Sequence, residues 1–114
     1  MMQEQKKILI IDDDHDVLLT ARMFLEQLSF DVTVLSDPKK ILSQIKTDPF
    51  DVILMDMNFQ RGLTEGTEGL QWLERIREED PSAVVILMTA FGDVELAVKG
   101  IKAGAFDFIL KPWQ

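Results

Sequence analysis

The chain has 114 residues, enough for one domain with a core of its own. Twelve basic against twenty acidic side chains leave a net charge of −8, which repels phosphate backbones and anionic lipid and argues against direct nucleic-acid or membrane contact by this segment. Cysteine is absent, so disulfides and thiolate metal sites are excluded. The polar start, Met1 to Lys7, lacks the apolar run of a signal peptide. No stretch reaches the ~20 apolar residues of a membrane span, and the expected setting is cytoplasmic.

Short apolar runs alternate with helical patterns along the whole chain. Lys7-Ile-Leu-Ile-Ile11 is a β-branched run that ends in acid, and Asp14 stands where it can cap a helix. That helix is expected to turn Val17, Leu18, Ala21, Phe24, Leu25 and Leu28 inward. Val32 to Leu35 reads as a second strand. Ser36-Asp37-Pro38 starts a second helix, with proline suited to the first turn and Ile41, Leu42 and Ile45 as its apolar face. The run from Phe50 to Asp56 has the continuous apolar character of a strand covered on both faces.

A stretch containing glycine and threonine follows, from Asn58 to Gly66. Leu70, Leu73 and Ile76 then mark a helix that stops before Pro81. Ala83 to Met88 is the fourth strand. Asp93 is placed to cap a helix with Val94, Ala97, Val98 and Ile101 inward, Gly104 ends it, and Phe106 to Leu110 is the fifth strand. Strands alternating with helices imply right-handed crossovers and a parallel sheet, an open doubly wound α/β sandwich. Only four helices are available for five strands. The chain therefore reads as a piece cut from a longer protein before its last helix, with apolar surface near the last strand that favours self-association into a homodimer. A sharply monomeric species at high concentration would count against that.

In such a sheet, ligands sit beyond the carboxyl ends of the strands. The first strand delivers Asp12 and Asp13 to that edge, the third Asp56, the fourth Thr89 and the fifth Lys111. Three carboxylates gathered in one pocket repel one another, and a hard divalent cation in an all-oxygen, partly hydrated site, Mg²⁺ above all, relieves the repulsion. Lys111 adds a fixed positive charge and Thr89 a hydroxyl donor. Positioning and charge stabilisation of this kind are what phosphoryl transfer requires, with a carboxylate oxygen as nucleophile.

Ile-Ile-Asp12-Asp13-Asp14, Val-Ile-Leu-Met-Asp56, Ile-Leu-Met-Thr89-Ala90 and Phe-Ile-Leu-Lys111-Pro112 resemble, in order and spacing, the four signature segments of response-regulator receiver domains of two-component signalling. The resemblance covers residues 5–114 and implies a flavodoxin-like five-stranded sheet of order 2-1-3-4-5. It implies that Asp56 accepts phosphate from the phosphohistidine of a sensor histidine kinase, and that the domain catalyses only its own phosphorylation and dephosphorylation. By the same resemblance Mg²⁺ is held by Asp13 directly, by Asp12 mostly through water, by Asp56 and by the backbone carbonyl of Asn58. Thr89 and Phe108 look like a switch pair, and Lys111-Pro112 resembles the family's cis peptide. The stretch from Ala90 to Lys99, with Ala-Gly-Ala-Phe-Asp-Phe and Lys-Pro-Trp, resembles receivers that head NtrC-type transcription regulators, which implies ATPase and DNA-binding output domains in the parent chain.

The chain also departs from the family pattern. Phe59-Gln60 stands where a Met-Pro pair is usual, and Gly69 falls thirteen residues after Asp56 rather than about eight. This implies an insertion of about five residues, within residues 61–68, beside the site. Several other residues have plain explanations: His15 as a solvated first-turn side chain, Trp72 and Trp113 as packing groups, Glu74 to Asp80 as a solvated helix face. Two rival functions are a haloacid-dehalogenase-like phosphatase with Asp12 as nucleophile, which would leave Asp56 without a role, and a receiver-like module that has lost phosphorylation, which the retained acids do not favour. A dinucleotide-binding domain is excluded, because no glycine-rich turn follows the first strand.

Overall fold

The computed structural model describes residues 5–57, 67–89 and 94–110, the side chains of 67 and 68 excepted. Five strands, β1 (Lys7–Ile11), β2 (Asp31–Leu35), β3 (Val52–Asp56), β4 (Val85–Thr89) and β5 (Asp107–Leu110), alternate with helices α1 (His15–Gln27), α2 (Ile41–Thr47), α3 (Thr67–Glu79) and α4 (Val94–Lys102). All pairings are parallel, as the alternation of elements leads one to expect, and the strand order is β2-β1-β3-β4-β5, the order that the resemblance implies.

The two-residue period of each strand divides the core in two. Leu9, Ile11, Ile53, Met55, Val85 and Leu87 face α2, α3 and α4, where Ile41, Leu73, Ile76 and Ala97 meet them. Ile8, Ile10, Leu54 and Met88 face α1 through Leu18, Ala21 and Leu25. The central strands are therefore apolar on both sides. β5 is less covered: its ends are exposed and its middle is half-buried.

Local signals place most boundaries. Asp14 caps α1, its carboxylate accepting from the N–H groups of Asp16 and Val17 at 2.9 and 3.4 Å. Asp37 does the same for a short 3₁₀ turn, Pro38–Lys40, that leads into α2. Gly104, at φ 116°, turns the chain out of α4 in a conformation that side chains rarely adopt. Removing the first cap by Asp14→Ala should lower unfolding free energy by about 1 kcal/mol. Urea denaturation reads this directly, and a loss of no more than a few tenths would mean that the cap is held by its neighbours.

Two helix faces differ from the sequence expectation. On α1, Phe24 and Leu28 are exposed, and only Leu18, Ala21 and Leu25 are buried. The apolar positions span a wider arc than one face of the sheet can cover, so the flanking ones are left outside. On α4, Val94, Val98 and Ile101 are exposed, while Ala97 and Gly100 are buried. Here the smallest residues face the sheet because the helix lies close upon Leu87: a Cβ at Gly100 would collide with that side chain. Proximity, rather than apolarity, selects the inward face.

At the opposite end of the sheet from the strand carboxyl ends, the Lys7 ammonium meets Asp48 at 2.7 Å. The hydrogen bond and the charge of Asp48 raise the lysine above its ordinary 10.5. Whatever stability this exposed pair contributes is fully present below that ordinary value, and it is lost as pH rises through the raised one.

Candidate functional site: an acidic cluster at the strand ends

The sheet register determines what meets at its carboxyl edge. Ile11 pairs with Met55, so the residues that follow them, Asp12 and Asp56, come level on adjacent strands. Asp56 pairs with Met88, and Thr89 with Leu110. Three strands, β1, β3 and β4, thus bring Asp12, Asp56 and Thr89 to the same rim.

Asp12, Asp13 and Asp56 come together there, each offering a carboxylate oxygen within 4.8 Å of the others. Asp12 is 0% exposed and Asp56 4%, with Thr89 close by in the sheet at 2%; Asp13 is the most open of the three acids. Asp12 is fixed through its backbone and side chain: its N–H donates to the carbonyl of Leu35 at 3.1 Å, and its Oδ1 accepts from the N–H of Asp14 at 2.9 Å. The first bond extends the β1–β2 ladder past the strand, and the second ties the acid to the start of α1.

Burying like charges this close costs free energy unless a cation or donors compensate. An all-carboxylate set is a fitting donor set for a hard divalent ion. Asn58 and Lys111, the other two residues expected at the site, lie outside the described residues, as do Phe59-Gln60, residues 61–66, Asp93, Pro112 and Trp113.

Thr89 lies on the sheet face that carries Val85 and Leu87. Phe108 packs, half-buried, against the same core and pairs with Leu87 on the neighbouring strand. His15 is exposed. Trp72 packs on the α3 side of the core, with the Arg75 guanidinium 4.8 Å from its ring centroid. Most of the run from Glu74 to Asp80 is solvated, although Arg77 reaches back to donate to the carbonyl of Ala83 at 2.8 Å. One contact beside the site was not foreseen from the sequence: the N–H of Gly69, in the first turn of α3, donates to the carbonyl of Met57 at 3.1 Å. A glycine so early in an amphipathic helix, where it weakens helix formation, was the available signal.

Among the described residues, no helix is long and apolar enough to cross a membrane. The family model described as the response regulator receiver domain matches residues 8–114. The response regulator protein PilR of Pseudomonas aeruginosa is 32% identical over 108 residues, which are 95% of this chain and 23% of that protein. The phosphoglycerate transport system transcriptional regulatory protein PgtA of Salmonella typhimurium is 32% identical over 112 residues, 98% of this chain and 26% of that protein. The chain thus spans about a quarter of the length of these curated relatives. The crystal structure of the receiver domain of NtrX from Brucella abortus superposes with a TM-score of 0.84 at 28% identity, covering 94% of this chain and 87% of that one. Sequence, sheet order and acidic cluster agree: the chain belongs to the response regulator receiver domain family of two-component signalling, and the curated relatives it matches are NtrC-family regulators.

Proposed function

We propose that residues 5–114 form a receiver that takes a phosphoryl group onto Asp56 from the phosphohistidine of a partner kinase. The observation that carries this is the meeting of Asp12, Asp13 and Asp56 at the carboxyl edge of the sheet, with their oxygens within 4.8 Å. Their position beyond the strand ends is where doubly wound sheets bind their ligands.

In this reaction an Asp56 oxygen attacks phosphorus, the bond from phosphorus to the kinase imidazole nitrogen breaks, and its electron pair stays with the imidazole. The product is an acyl phosphate on Asp56. Asp13 directly, Asp12 mostly through water, Asp56 and the backbone carbonyl of Asn58 would hold a Mg²⁺ ion, which when bound would screen the charges of the two approaching anions. Lys111 is assigned the role of a fixed cation for the phosphoryl oxygens, and Thr89 that of a hydroxyl donor to one of them.

Thr89 and Phe108 share one face of the sheet, which supports a switch in which the hydroxyl moves toward the phosphoryl group and the ring turns inward behind it. The output surface is then α4 and β5. It carries exposed apolar side chains, Val98, Ile101, Phe106 and Leu110 among them, suited to a second copy of the chain or to ATPase and DNA-binding domains of an NtrC-type parent protein. The setting proposed for this signalling domain is the cytoplasm.

The test is intact mass after incubation with acetyl phosphate and Mg²⁺. A gain of one phosphoryl group, absent when Mg²⁺ is chelated and removed by hydroxylamine, is the expected result. No gain, together with no Mg²⁺-dependent binding of beryllofluoride, would overturn the proposal in favour of a silent receiver-like module.

A further inference from the structure

The backbone of Met57 is gripped from two sides. Its N–H donates to the carbonyl of Met88 on β4 at 3.0 Å, and its own carbonyl accepts from the N–H of Gly69 on α3 at 3.1 Å. Met57 is the single residue between Asp56 and Asn58, so the direction in which the chain leaves the acceptor is decided there. Gly69 is an unfavourable residue for a helix, by about 1 kcal/mol relative to alanine, and space explains its presence. A Cβ at position 69 would collide with the carbonyl oxygen of Met57 and lie 2.6 Å from its Cα and 2.7 Å from its carbonyl carbon. Those are backbone atoms at the end of a central strand, and they cannot swing aside as a side chain can. Gly100 provides the contrast, because a Cβ there would meet the far end of the Leu87 side chain.

We infer that Gly69 is a positioning residue for phosphoryl acceptance, acting through Met57 to fix the peptide that follows Asp56. The inference rests on the proposed roles of Asp56 as acceptor and as one of the acids that hold Mg²⁺. Any side chain at 69 pushes Met57 away from β4 and shifts the end of β3 that carries Asp56.

The experiment compares Gly69→Ala with Gly100→Ala, measuring Mg²⁺ affinity by calorimetry, phosphorylation by acetyl phosphate, and melting temperature. Gly69→Ala should weaken Mg²⁺ binding by roughly tenfold or more, the scale seen when the support of a metal ligand is lost. Gly100→Ala, which perturbs only the core, should leave Mg²⁺ affinity within about twofold of the wild type even where it lowers the melting temperature. A folded Gly69→Ala protein with wild-type affinity and rate would overturn the clamp.

Because linkage is reciprocal, the wild-type chain offers a second measurement that does not depend on a variant folding. Saturating Mg²⁺ should slow hydrogen exchange at the Gly69 amide by roughly tenfold, and by clearly more than at the Gly100 amide. Equal slowing at the two positions, or none, would overturn it as well. A wild-type chain that neither binds Mg²⁺ nor gains a phosphoryl group would instead overturn the proposed function itself, and the clamp with it.

Discussion

Asp56→Asn is expected to gain no phosphoryl group from acetyl phosphate at any Mg²⁺ concentration, a loss of at least about a thousandfold in rate, while it keeps its fold. Asparagine has nearly the same shape as aspartate, so the packing around this side chain, 4% exposed at the end of β3, is preserved. What changes is the electron pair. An amide oxygen is a poor nucleophile, and the acyl phosphate it would need to form is not accessible. The substitution also removes one of three negative charges whose oxygens lie within 4.8 Å of one another. Without Mg²⁺, the variant should therefore melt at or above the wild-type temperature.

Intact mass and a thermal melt on the same sample check both halves of this expectation. A variant that still gains one phosphoryl group would move the acceptor elsewhere. Asp12, the nucleophile of the phosphatase-like alternative, would then be the first residue to examine. A variant that lost both phosphorylation and fold would say nothing specific about chemistry, which is why the melt belongs in the experiment.

How much of this could be read from the amino acids differs from element to element, for physical reasons. The strands were legible because a sheet covered on both sides demands unbroken β-branched and apolar runs, and each run here stops at a polar residue. Those stops gave the site as well: parallel pairing brings consecutive run ends to one rim, so Asp12, Asp56 and Thr89 could be grouped before any coordinates were known. Helix faces were less legible. On α4 the sequence offers Val94, Ala97, Val98 and Ile101 as an apolar stripe, yet of these only Ala97 is buried, together with Gly100, while the three larger residues are exposed. Hydropathy reports affinity for an apolar environment, whereas close approach to Leu87 rewards the absence of a side chain. The contact that Gly69 makes with Met57 was hidden for a related reason. Its partner is a backbone atom twelve residues away, and no composition or period encodes the meeting of α3 with the end of β3.

Asp13→Ala separates metal binding from nucleophilic attack, since it leaves Asp56 untouched. Two unit charges 4 Å apart interact with about 4 kcal/mol at an effective dielectric constant of about 20. Removing one carboxylate from a divalent cation's set forfeits an amount of that order. Water entering the gap returns part of it, the more readily because Asp13 is the most open of the three acids. If about half survives as a net loss, Mg²⁺ affinity falls by roughly thirtyfold. Phosphorylation by acetyl phosphate should slow in proportion at low Mg²⁺ and recover in part as Mg²⁺ is raised. That recovery is what distinguishes this variant from Asp56→Asn, which no concentration of Mg²⁺ can rescue. Asp12→Ala should shift the Mg²⁺ midpoint less if Asp12 acts mostly through water, although losing the bond its carboxylate accepts from the Asp14 N–H gives it a structural cost of its own. Phosphorylation rate against Mg²⁺ concentration for the three proteins provides the comparison. An Asp13→Ala midpoint equal to that of the wild type would remove Asp13 from the metal site and leave Asp12 and Asp56 as its only carboxylate ligands.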